Sequence, residues 1–223
     1  MTKFRILIDL DVIIYRGLFA CKDQNYYKQL RACDNIIYRI MDKFGDDITL
    51  VLSGPNNFRY KISNSYKANR KPESRPQYLF DARGYFAKYW GAVVTDGFEA
   101  DDFIGMNHDE NSIIVTSDKD MNQLGGNIYN PFTNELYFVD NREFYFYYQL
   151  LVGDAADNIS GIRGIGDKKA RKWLEGKDKE SMRFITKSLY KKTFGDNWQS
   201  MYDTNARLIF LLRDEKSNYY EYY

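Results

Sequence analysis

The chain has 223 residues, 44% of them hydrophobic, and a formal net charge of +1, which suits one large or two small domains with a proper core. No stretch reaches the roughly 18–20 apolar residues of a membrane span and no signal peptide opens the chain, so neither a membrane nor a secreted protein is expected. Cys21 and Cys33 lack C-x-x-C spacing and His108 is the single histidine, which points to reduced thiols in the cytoplasm and argues against zinc chemistry and a serine-type triad.

Phe4–Leu10 is an apolar run ending in acids, as a central parallel strand does, with Asp9 and Asp11 at or just past its carboxyl end. Tyr26–Phe44 has helical periodicity and Gly45 ends it. Thr49–Leu52 is a second short strand. Ser53–Trp90 begins polar and basic, is interrupted at Pro72 and Pro76, and finishes in an amphipathic helix from Tyr78. Ala92–Thr95 is a third strand, Glu99–Asn107 a helix opening with E-A-D-D, and Ser112–Thr116 a fourth strand running into Asp118 and Asp120. Ile128–Tyr129 and Leu136–Val139 form a strand pair turning at Pro131–Asn134. Glu143–Leu151, Ser181–Phe194 and Trp198–Leu212 are helical, and Tyr219–Tyr223 is expected to fray. The order is a βα-alternating domain followed by a helical region.

Charge is segregated along this order. Acids gather at Asp9, Glu99–Asp102, Asp118–Asp120 and Asp154–Asp157; bases gather at Arg59–Arg75 and Arg163–Lys177. Such clustering suggests a nucleic-acid partner where the total does not. Three strands deliver acids to one sheet edge, where sites form in open α/β sheets. Asp154 and Asp157, three residues apart, would share one face of a helical turn. So many carboxylates repel unless cations hold them, and their hard oxygens select Mg²⁺ or Mn²⁺. Two such ions about 3.5–4 Å apart suit hydrolysis of a phosphodiester without a nucleophilic side chain. Next in the chain, Gly161-Ile162-Arg163-Gly164-Ile165-Gly166 forms a tight turn whose backbone can approach phosphate closely. A basic helix with Lys168, Lys169, Arg171 and Lys172 follows it. Taken singly, each acid is also a good helix cap and the turn an ordinary helix connection.

Five motifs occur in a telling order: I-D-L-D at Ile8–Asp11, S-Y-K-A-N-R-K at Ser65–Lys71, E-A-D-D at Glu99–Asp102, T-S-D-K-D at Thr116–Asp120, and G-D-A-A-D-N-I-S-G-I-R-G-I-G at Gly153–Gly166. In these the chain resembles the flap endonuclease/5′→3′ exonuclease family, especially its bacteriophage members. The resemblance implies a PIN-like α/β nuclease core over residues 1–140, with an arch or clamp at about 54–90. A helical region over 141–223 would contain a helix–hairpin–helix element at about 153–174. It further implies a first metal site from Asp9, Glu99, Asp101, Asp102 and Asp118, and a second completed by Asp120, Asp154 and Asp157. Asp9, Asp102 and Asp118 would be catalytic, with Lys67 and Arg70 neutralising the scissile phosphate and Tyr66 stacking on a base. Gly161, Gly164, Gly166, Lys168 and Lys169 would grip duplex phosphate, with a K⁺ on backbone carbonyls. The implied partners are DNA with 5′ ends, nicks or flaps, or an RNA–DNA hybrid, met by a monomer in the cytoplasm, the host's if phage-encoded. The rival readings are an RNase removing RNA primers and a catalytically silent binder of branched DNA. An RNA-cutting toxin of a related small-domain fold is disfavoured by the length and by the glycine turn. The family aspartate after the second strand has no counterpart: Leu52-Ser53-Gly54-Pro55 stands there, and a side chain at Gly54 is expected to point at or near the first metal.

Overall fold

The computed structural model describes residues 4–214; the fraying expected at Tyr219–Tyr223 lies outside the described residues. Strand β1 (Arg5–Asp9) passes directly into helix α1 (Leu10–Ala20), followed by α2 (Tyr26–Phe44), β2 (Ile48–Leu52), α3 (Arg59–Ile62), α4 (Leu79–Tyr89), β3 (Val93–Val94), α5 (Ala100–Asn107) and β4 (Ser112–Val115). A 3₁₀ segment, Lys119–Leu124, leads into β5 (Gly126–Asn130) and β6 (Glu135–Val139). The rest is α6 (Arg142–Val152), a small hairpin of β7 (Gly153–Asp154) and β8 (Ile159–Ser160), then α7 (Asp167–Leu174), α8 (Lys179–Phe194) and α9 (Trp198–Ile209).

The main sheet has the order β3-β2-β1-β4-β5-β6, parallel throughout except for β6, which runs antiparallel to β5. Alternation along the strands sorts side chains to two faces. Ile6, Ile8, Leu50, Leu52, Ile113 and Val115 pack under α1, α2 and α4. Leu7, Val51 and Ile114 pack under α5 and the 3₁₀ segment. The helical region has its own core around Phe146, Tyr147, Leu150, Tyr190 and Tyr202, and Tyr66 reaches into it.

Order reverses between β1 and β4, so their carboxyl ends open a crevice at the switch point, where open α/β sheets place their ligands. Asp9 ends β1 beside this crevice, and Asp118 follows β4 across it. Two expectations are corrected. Asp154 and Asp157 do not lie on a helical turn: Asp154 is in β7, and its Oδ1 accepts the backbone N–H of Ala156 at 2.8 Å, holding the hairpin turn. Gly54 is not a vacant ligand position. A Cβ there would overlap the backbone carbonyl of Thr95, whose hydroxyl accepts the Gly54 N–H at 2.9 Å. Close backbone approach, not metal geometry, requires glycine there.

Candidate metal and phosphate site

The site is built outward from Asp9, 3% exposed and the N-cap of α1. Its Oδ1 accepts the Val12 N–H at 3.3 Å, and its Oδ2 accepts the Thr116 hydroxyl at 2.9 Å. That hydroxyl oxygen accepts the Asp118 N–H at 3.0 Å, and Asp118 Oδ1 accepts the Asp120 N–H at 3.0 Å. The buried Thr116 therefore couples β1 to β4 and sets where both acids stand. Burial, then the charge of Asp118, pushes the Asp9 carboxyl up to about 7. Burial and the neighbouring acids Asp9, Asp118 and Glu99 hold Asp101 well above the carboxylate range. Asp118 is raised by burial and by Asp154 and Asp157. Asp120 is pushed up to about 8 by burial, by Asp118, Asp154 and Asp157, and by a hydrogen bond with the Asp154 carboxyl. Desolvation and like charge both disfavour the ionised forms, the signature of acids gathered without a counter-ion.

A second group of acids is paired. Glu99 accepts the Tyr66 hydroxyl at 2.6 Å and meets the Lys67 amine, with Arg59 at 3.5 Å. Burial would raise it, but Lys67 and Arg59 hold it below the usual carboxylate range. Asp157 accepts the Tyr66 hydroxyl at 2.9 Å, pairs with Arg70 and lies 3.4 Å from Lys67 Nζ. Asp11, on the β2 side of α1, pairs with Arg83 and accepts the Ser53 N–H at 2.8 Å.

Three assignments change. Asp102 does not belong to the metal set. It is fully buried, its two oxygens take Arg59 at 2.6 and 2.9 Å, and they also accept the N–H groups of Glu99 and Leu212 at 3.1 Å each. With every oxygen direction filled, Asp102 is a structural acid, and its neighbour Asp101 carries that helix's contribution to the site. Arg59, expected within an exposed basic run, is 1% exposed and also donates to the carbonyls of Leu208 and Phe210. Tyr66 is 2% exposed, edge-on to Tyr60 with its hydroxyl on two carboxylates, so it offers no face for a base.

Lys67 and Arg70 stand beside the acids with their charges on Glu99 and Asp157. Gly161 packs against the backbone of Val152 and Gly153. Gly164, at φ +81°, and Gly166, the N-cap of α7, are exposed with open space around them. Lys168 and Lys169 are exposed on α7, and Lys169 Nζ donates to the Gly164 carbonyl at 2.8 Å. Sequence reasoning did not find Thr116, Arg59, Arg83 or Ser53, whose hydroxyl accepts the Ala100 N–H at 3.0 Å. Of these only Thr116, inside T-S-D-K-D, carried a signal.

Among the described residues no three Asp, Glu, His or Cys side chains close on one point as they stand; the acids form an open arc. The donor set is nonetheless all carboxylate, the ligand type of Mg²⁺ and Mn²⁺. An open, mostly parallel sheet with carboxylates at its switch point is the layout of a metal-dependent nuclease with the PIN-like 5′-nuclease fold. Residues 5–147 match the family described as 5′-3′ exonuclease, N-terminal resolvase-like domain, and the chain belongs to that family. A 5′-3′ exonuclease of Mycoplasma genitalium is 32% identical over 211 residues, covering 78% of this chain and 72% of that protein. DNA polymerase I of Caldicellulosiruptor bescii is 29% identical over 203 residues, 76% of this chain; the match spans 24% of the polymerase's length. The bacteriophage T5 5′-exonuclease with bound zinc ions shares the fold at a TM-score of 0.61 and 16% identity, over 92% of this chain and 99% of that one. The T5 D15 flap endonuclease, in a complex with DNA and metal ions, does so at 0.59 and 16%, over 92% and 98%.

Proposed function

We propose that the chain is a divalent-metal-dependent 5′→3′ nuclease that hydrolyses DNA phosphodiester bonds. The observation carrying this reading is that Asp9, Asp101, Asp118, Asp120 and Asp154 share one sheet edge with no ion-pair partner among the described residues. These five would hold the cations, two in the two-metal reading, and Glu99 and Asp157 join them when Lys67 and Arg70 turn to substrate. Bound Mg²⁺ or Mn²⁺ supplies Lewis acidity and offsets charge on the phosphodiester. Lys67 exchanges its carboxylates for a phosphate oxygen and stabilises charge developing there. Tyr66 keeps Glu99 and Asp157 aimed at the crevice. Thr116 fixes Asp9 and Asp118 relative to each other.

The domain division follows: a nuclease core to about residue 140, then a helical region that grips duplex. Gly164, Gly166, Lys168 and Lys169 form an exposed, basic helix–hairpin–helix surface, which suits phosphate contacts without sequence preference. A K⁺ in this turn would compete with the Lys169 amine for the Gly164 carbonyl. The chain works as a monomer on DNA with 5′ ends, nicks or flaps. No described helix is long and apolar enough to cross a membrane. The sequence relatives named above are bacterial, and the role we propose is the general one, 5′-end processing in DNA replication or recombination.

The test is cleavage of end-labelled duplex, nicked, flapped and RNA–DNA substrates in Mg²⁺, Mn²⁺ and EDTA. Metal-dependent release from a DNA 5′ end is expected. Binding of branched DNA with no cleavage in either metal overturns the enzyme reading, and preference for the hybrid overturns the DNA assignment.

A further inference from the structure

The segment after α3 is sewn to the opposite side of the site. Lys67 N donates to Asp157 O at 2.9 Å, Asn158 Nδ2 to Ser65 O at 2.8 Å, and Asn69 Nδ2 to Ala155 O at 2.7 Å. Arg70 adds an ion pair with Asp157. Lys67 at φ +57° and Asn158 at φ +60° are both left-handed, conformations that non-glycine residues keep when their surroundings hold them. The Tyr66 ring is buried beneath the seam. The chain then crosses to the α1 and α2 side. Ser74 O accepts the Tyr15 hydroxyl at 3.1 Å, and the Tyr78 ring packs on Tyr26 with centroids 5.2 Å apart. The steps from Arg70 to Ser74 span at most ~14 Å of extended chain.

An unpaired strand can thread a loop only where slack chain bounds an opening. Here the 65–70 stretch lies flush on the 155–158 turn, a ring fills the space below, and little chain remains between the two anchors. We infer that this segment is a closed fence and not a threadable arch. The site therefore takes a 5′ terminus from its open side and releases short products, and a long unpaired 5′ arm has no path past it. This deepens the nuclease reading and rests on it: the substrate class is free 5′ termini at duplex ends, nicks and gaps, and not the base of a long flap.

The whole chain is assayed in Mg²⁺ on 3′-labelled nicked duplex, on the same duplex with a long 5′ flap, and on that flap blocked by biotin–streptavidin. The nick is expected to be shortened stepwise, and incision at the flap base to be slower by about tenfold or more, a barrier difference of about 1.4 kcal/mol. Flap-base incision at the nick rate, blocked or unblocked, overturns the inference. Absence of cleavage on every substrate overturns the nuclease reading instead. Asn69→Ala combined with Asn158→Gly opens the seam while keeping the left-handed turn at 158. With its fold checked by thermal melting, this variant is expected to raise flap incision relative to nick cleavage. An unchanged ratio in the folded variant overturns the seam as its cause.

Discussion

Asp101 and Asp102 are adjacent in sequence, and the structure gives them opposite roles that one pair of substitutions separates. Asp102→Asn leaves the Arg59 guanidinium buried without its counter-charge. Arg59 is 1% exposed and Asp102 fully buried, so solvent cannot compensate. Removing one partner of a buried pair costs about 3–5 kcal/mol. In a domain of this size each kcal/mol moves the melting temperature by about 2–4 °C, so a fall of about 6–20 °C is expected. The same pair ties α3 and α5 to Leu208, Phe210 and Leu212, so the loss should propagate to the C-terminal segment. Asp101→Asn acts in the opposite direction. It removes like charge from Asp9, Asp118 and Glu99, so the metal-free protein should melt at or above the wild-type temperature. The assay is thermal melting in EDTA and across a Mn²⁺ titration, with cleavage measured in parallel. Asp102→Asn should melt early yet gain wild-type stabilisation from Mn²⁺; Asp101→Asn should melt normally and lose most of that gain. An Asp102→Asn protein that melts like wild type while losing its Mn²⁺ response would refute the division between them.

The raised acids predict an inverted pH profile. Asp9 titrates at about 7 and Asp120 at about 8 in the folded chain against 3.8 for an ordinary aspartate, so the folded state holds the extra protons. Metal-free stability then falls as pH rises from about 4 to about 8, and saturating Mg²⁺ should flatten that slope; a melting temperature that climbs through the window in EDTA contradicts it. Gly54→Ala should cost about 3 kcal/mol or prevent folding, because its Cβ meets the Thr95 backbone, whereas Gly84→Ala, in α4 with open space around it, should stabilise by about 0.5–1 kcal/mol. Equal denaturation midpoints for the two variants would remove that explanation of Gly54. Lys168→Ala should lower the salt slope of duplex binding by about 0.9 with no sequence preference if the lysine neutralises one phosphate; an unchanged slope places Lys168 away from the duplex.

Legibility in the sequence followed how local each determinant was. Helix α2 was readable to its ends because a long amphipathic period met an asparagine cap and Gly45, all within one stretch. Helix α1 escaped notice: Leu10, Ile13, Ile14 and Leu18 continue the apolar run of β1, and the strand passes into the helix through Asp9 alone. The switch-point acids were visible because strand ends are local and aspartate there has few other uses. Which of two adjacent aspartates faces the crevice was not visible. That choice is made by Arg59, whose guanidinium is held by carbonyls 149 and 151 residues further along the chain. The fate of Tyr66 was hidden for the same reason, since the core that buries it comes from the helical region. The role of Gly54 depended on where β3 and the following loop lay against β2, which composition does not encode.

The acids of the sheet edge thus fall into two populations that a count of carboxylates merges. Asp11, Glu99, Asp102 and Asp157 have cationic partners and pull elements together: α1 to α4, the clamp segment to α5, α3 to the C-terminal segment, and the clamp to the hairpin turn. Asp9, Asp101, Asp118 and Asp120 are pushed toward their protonated forms by burial and by one another. The paired set makes the unpaired set possible. Four acids that repel would spread apart on a loose scaffold, and here each is fixed by a backbone element or by Thr116. A divalent cation entering the crevice meets ligands whose repulsion the fold already bears, so binding relieves strain where a relaxed site would have to create it. The paired acids Glu99 and Asp157 add a further step, because Lys67 and Arg70 must move before those carboxylates face the ion. Metal and substrate phosphate then act together: the ion takes the carboxylates, and the phosphate takes the freed lysine and arginine. Cation affinity should therefore rise when DNA is bound, and DNA affinity should rise by the same factor when the cation is bound.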